Sequence, residues 1–101
     1  MSSKADIQTQ IALLGRQMEE LEKEIKVSAP YTEYVKEQMV IHHATMDDSD
    51  DEAMRDLAWK NYEFYCGVLE KLIEKEEVRE DRMRELRDAE RTLSMSLQSA
   101  Q

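Results

Sequence analysis

Two adjacent histidines, His42 and His43, one cysteine, Cys66, and the acidic run Asp47-Asp48-Ser49-Asp50-Asp51-Glu52 are the residues whose types could do chemistry beyond packing. The histidines invite a metal ion. Neighbouring side chains on a helix point roughly 100° apart, however, so the two rings cannot share one ion from the same helix. The helical ligand spacings His-x-x-x-His and Glu-x-x-His are also missing: Met39 stands three residues before His42, and Val40 three before His43. His42 instead centres the apolar half of its segment, one turn from Gln38 and Thr45. Gln38 and His42 are therefore expected as buried, hydrogen-bonded polar groups that fix register. A small-ligand or metal site around Gln38, His42 and Tyr62 is the weakest functional reading.

Cys66 could act as a nucleophile if a histidine served as its base. Folding the chain at the acidic run places Cys66 opposite residue 31, on the order of 16 Å from His42. It also lies within a helical pattern and not at a helix N-terminus, where a thiolate is stabilised. A small core residue is the simpler role. The acidic run begins like a calcium-binding EF-hand loop, with Asp47, Ser49 and Asp51 at alternate positions. Glu52 then stands where the sharp turn needs glycine, and Ala58 where a bidentate glutamate belongs. No phosphate-binding glycine loop or paired-cysteine motif appears, so neither a catalytic role nor a cofactor is expected.

These residues are carried by long helices. The 101-residue chain contains two glycines, Gly15 and Gly67, and one proline, Pro30, and 37% of it is charged. Globular domains are about one quarter charged, and an excess fits helices that bury only a narrow stripe. Over residues 5–27, Ile7, Ile11, Leu14, Met18, Leu21 and Ile25 follow a spacing of alternating fours and threes, the seam of a heptad repeat. Pro30 removes a backbone donor, so this helix is expected to end or kink near residues 26–29, with Ser28 as a cap for a second helix over 30–46. The two segments form either one bent rod or two helices. In residues 31–46 one half of the helical wheel is largely apolar, while the other holds Lys36, Glu37, Val40 and His43.

The acidic run reads as the turn, at 47–51. Ser49 and Glu52 match a capping box, and a third helix then extends over 50–97. Its first half is apolar over a wide arc. Its second half keeps the phase through Met83, Leu86, Leu93 and Leu97, with Glu76, Arg79 and Glu90 interrupting the seam and Glu80 and Asp88 placed to pair with Arg84. The expected fold is an all-α, single-domain antiparallel hairpin, with residue 42 near 55 and residue 14 near 83. All six aromatic residues lie between Tyr31 and Tyr65, so a compact core is expected in the middle.

A two-helix layer leaves such a seam short of cover. Self-association, with a dimer favoured, is expected through Ile7, Ile11, Leu14, Met18, Leu21, Ile25, Met83 and Leu86. The net charge of −9 disfavours nucleic acid and anionic membrane as partners. Residues 47–56 alone carry six acids against Arg55, so a second protein with a basic surface is the expected hetero-partner. Its contact residues are expected to be Asp47, Asp48, Asp50 and Asp51 with Trp59 and Phe64. The leading reading is a cytoplasmic, non-enzymatic scaffold, adaptor or assembly factor. The alternative is a small acidic inhibitor, of the kind encoded by viruses or mobile elements, that occupies the basic site of a nucleic-acid-processing protein.

Overall fold

A computed structural model describes residues 3–99 and contains two helices packed as a hairpin, α1 (Lys4–Asp48) and α2 (Glu52–Ser99). They hold 45 and 48 residues, so the arms are nearly equal, as the position of the acidic run implies. Among the described residues there is no strand. Contacts divide the chain into two compact units. A terminal unit joins the residues up to Ile25 with those from Glu77 onward, and a turn unit comprises Lys26–Glu76.

α1 begins with a reciprocal capping box that lies outside the heptad pattern. The Asp6 amide donates to Ser3 Oγ at 3.1 Å, and the Ser3 amide donates to Asp6 Oδ2 at 3.4 Å. The S-x-x-D pattern was visible in the sequence and satisfies two of the donors that a helix start leaves open.

Of the two expected forms, one rod or two helices, the first is observed: α1 runs continuously through Pro30. An interior proline costs about 3 kcal/mol by removing one ladder bond and crowding a carbonyl. That cost is local, whereas tertiary packing holds the helix on both sides. Val35, five residues on, is 0% exposed. Ser28 consequently caps nothing. It lies inside α1, and its carbonyl accepts the Thr32 hydroxyl at 3.2 Å.

At the turn the cap of α2 is Asp51, in place of the expected Ser49–Glu52 box. Asp51 Oδ1 accepts from the Ala53 amide at 2.9 Å, and the Asp51 carbonyl takes the Arg55 amide at 3.0 Å, the first bond of the helix ladder. Ser49 Oγ accepts from the Asp51 amide at 3.2 Å and so shapes the turn that presents the cap. Serine and aspartate cap about equally well, and the later one prevails because it sits directly against the first helical turn.

The buried apolar side chains are Ile7, Met83 and Leu86 in the terminal unit and Val35 and Ala58 in the turn unit. Arg79, an expected seam interruption, reaches across the terminal unit to Glu24 at 3.6 Å, and its side chain is only 24% exposed. Arg84 pairs with Asp81 at 2.7 Å, and not with the expected Glu80 or Asp88; three-residue and four-residue spacings are both neighbours on a helix. The aromatic residues do not form the expected compact core. Tyr31, Tyr34, Trp59 and Phe64 are exposed, and Tyr62 and Tyr65 are half-buried.

Candidate interaction surface

In the terminal unit the heptad seam is unevenly covered. Ile7 is buried in the hairpin, as are Met83 and Leu86, which removes these three from the expected surface for a second copy. Ile11, Leu14, Met18, Leu21 and Ile25 are half-buried. A single neighbouring helix covers one flank of such a stripe and leaves the other toward solvent. Leu13 beside it is exposed.

In the turn unit the aromatic rings form two sets, one centred on Tyr65 and one on Tyr62. Tyr34 stacks on Tyr31 at 6.4 Å and meets the edge of Tyr65, also at 6.4 Å. Tyr65 also stacks on His42 at 5.6 Å and takes Phe64 edge-on at 5.3 Å. Tyr62 lies 5.7 Å from His43 and 6.1 Å from Trp59. His42 thus faces Tyr65, well beyond the expected level of residue 55, and in the terminal unit the Glu24–Arg79 pair is displaced in the same sense. Side chains on a helix lean toward its N-terminus, so in an antiparallel pair the two partners lean toward each other and meet past the level of their Cα atoms. Gln38 and His42 are half-exposed, which corrects the expectation of buried polar groups: two helices enclose too little volume to bury an imidazole.

Cys66 is a free, half-buried thiol one turn after Tyr62 on α2. The neighbouring Cys66 side chain, through its hydrogen-bonding influence first and the charge it can carry second, together with desolvation, holds the Tyr62 phenol above its ordinary value of 10.0. Tyr65 is likewise raised, chiefly by its hydrogen bond with Tyr34. Tyr62 also contacts His43. The Tyr62–His43 contact is ring edge to ring face, and His43 Nδ1 lies 3.4 Å from Asp47 Oδ2 on its other side. This arrangement rests on ring packing and does not aim a base at the sulphur. Among the described residues no group of three His, Cys, Asp or Glu side chains is placed to hold a metal ion. No described helix is long and apolar enough to cross a membrane.

The expected hetero-partner residues are all on the surface. Asp47, Asp48, Asp50 and Asp51 are exposed, with Asp51 engaged as the α2 cap. Trp59 is 50% exposed and Phe64 65%. One surface element went unassigned in the sequence. A groove of 540 Å³ has an apolar floor of Met39, Val40, Ala44 and Leu69. Lys36 borders it at one end and Asp47 and Asp48 at the other, with His43 and Tyr62 beside the floor. Val40, 70% exposed, is its most open large apolar residue. Its signal was present: Val40 is the one large aliphatic residue on the otherwise polar half of the α1 wheel.

No protein-family model, curated protein or solved structure matches the chain.

Proposed function

We propose that this chain is a non-enzymatic helical interaction module that associates with copies of itself along the Ile11–Ile25 stripe and works as a scaffold, adaptor or assembly factor. The half-covered stripe carries this reading. Five consecutive seam positions keep regular heptad spacing, which selects for knobs-into-holes packing by further helices, while the hairpin covers them only partly. The surface total agrees. The chain exposes 7872 Å², roughly a third more than the about 6000 Å² typical of a compact monomer of this mass. The excess is larger than the about 800 Å² that each partner contributes to a standard interface. The free Cys66 thiol fits a reducing, cytoplasmic setting.

Sedimentation equilibrium across the low micromolar range tests the reading. The expected result is a dimer or higher oligomer that Leu14→Gln with Leu21→Gln shifts to monomer. A well-folded wild-type monomer throughout that range would falsify it.

A second reading, the acidic inhibitor of a nucleic-acid-processing protein, is favoured by the exposed carboxylates of the turn lying in the same unit as exposed Trp59 and Phe64. Charge reversal at Asp47, Asp48, Asp50 and Asp51 separates the two: loss of a basic partner with the oligomer intact supports the inhibitor.

A further inference from the structure

We infer that the groove along residues 36–48 of α1 receives a cationic amphipathic helix of a partner protein, docked antiparallel to α1 with its basic N-terminal end against Asp47 and Asp48. The inference rests on the reading of this chain as an interaction module and adds the place, chemistry and direction of a second contact, separate from the terminal-unit stripe.

The groove runs along one flank of the α1–α2 contact, with Tyr62 and Leu69 supplied by α2. Val40 belongs to the polar side of α1, turned away from the side that buries Val35, yet it is apolar and wide open. Met39, Ala44 and Leu69 complete a floor that one more helix can cover with residues at i, i+3, i+4 and i+7. The span from residue 36 to residue 48 corresponds to about 18 Å, three turns of a docked helix.

Charge selects the occupant. The acidic run divides into two parts with different physical roles. Ser49 and Asp51 shape and cap the start of α2. Asp47 and Asp48 instead occupy the last turn of α1, where the helix dipole is already negative and where no basic residue is present. Carboxylates there oppose helix stability by about 0.3 to 1 kcal/mol each. Helix capping therefore explains Ser49 and Asp51 but not Asp47 and Asp48; within α1, Asp47 lies 3.4 Å from His43, which also lines the groove, and Asp48 is exposed. At the groove's end they are suited to a cation. A second copy of this chain fits poorly: it brings a net charge of −9, and its own Asp47 and Asp48 would meet either the same pair or a Lys36 flanked by Glu33 and Glu37. Lys36 already pairs with Glu33 at 3.6 Å. A basic partner helix has neither conflict. The positive end of its dipole faces Asp47 and Asp48, and this contact sets the antiparallel direction.

The test uses the full chain and a fluorescent synthetic peptide of about 14 residues, with leucines at the four anchor positions, lysines in its first turn and glutamines elsewhere. A reordered peptide carries the lysines in its last turn. Anisotropy titrations compare wild type with Asp47→Lys/Asp48→Lys, the milder Asp47→Asn/Asp48→Asn, Val40→Glu, and Glu19→Lys/Glu20→Lys. The last variant makes the same charge change as the lysine pair on an exposed part of the terminal unit. The expected result is binding by wild type and the Glu19/Glu20 variant alike. Binding weakens about tenfold or more for both Asp47/Asp48 variants and for Val40→Glu, and several-fold for the reordered peptide. Equal losses in the Glu19/Glu20 and Asp47/Asp48 lysine variants, or undiminished binding by Val40→Glu, overturn the inference. Sedimentation of the same samples without peptide reports self-association separately. If Val40→Glu dissociates the copies, the groove belongs to a second copy and the inference fails while the module reading stands.

Discussion

In the terminal unit the buried side chains are Ile7, Met83 and Leu86, and the charge that interrupts their seam, Arg79, is met by Glu24. In the turn unit only Val35 and Ala58 are buried, and the bulk around them is two sets of rings half in water. The difference shows what a two-helix layer can enclose. Aliphatic and thioether side chains fill the narrow space between two helices and leave the water. Tyrosine and tryptophan are too wide for that space, so they lie along its margins and stack on one another, keeping their polar tips hydrated. Aliphatic burial thus holds the terminal unit, whereas ring contacts supply much of the packing in the turn unit.

The sharpest challenge to that contrast is truncation of the terminal core. Leu86→Ala is expected to cost about 2 to 5 kcal/mol, read as a lowered urea midpoint with the slope unchanged. Next comes Tyr65→Leu, which keeps apolar bulk but removes ring contacts with Tyr34, His42 and Phe64. Each such contact is worth at most roughly 0.5 to 1.5 kcal/mol, and because Tyr34 and Phe64 are exposed and the leucine keeps apolar bulk in place, the summed loss in the same urea experiment should lie at the low end, about 1 to 2 kcal/mol, below that for Leu86→Ala. If Tyr65→Leu is instead the more damaging change, the Tyr65 set of rings is the true core and the contrast is reversed. The smallest effect concerns the turn. Asp51→Ala should cost about 1 kcal/mol, and Ser49→Ala only a few tenths, in thermal unfolding followed by circular dichroism. Equal costs would restore Ser49 as the cap.

Periodicity made the helices, the turn and the hairpin legible, because the stripe Ile7 to Ile25 and the cluster of turn formers at 47–51 are local patterns. Pro30 left one helix or two open for the complementary reason. Its cost is local and readable, while the packing that outweighs it is tertiary. The capping choice between Ser49 and Asp51 turned on one residue of position, beyond what propensity resolves. Of the candidate surfaces, the stripe was visible as a whole but not its division into Ile7, which the hairpin buries, and Ile11 to Ile25, which it half covers. That division depends on where α2 lies. Val40 was visible as an anomaly on a polar face, yet only the fold showed that Met39, Ala44 and Leu69 join it in one groove.

The half-covered stripe has a thermodynamic consequence. If copies of the chain complete it, native structure is linked to association, and the midpoint of unfolding becomes a property of how much protein is in the tube. Diluting the sample would then lower its melting temperature by mass action alone, with no change in solvent or sequence.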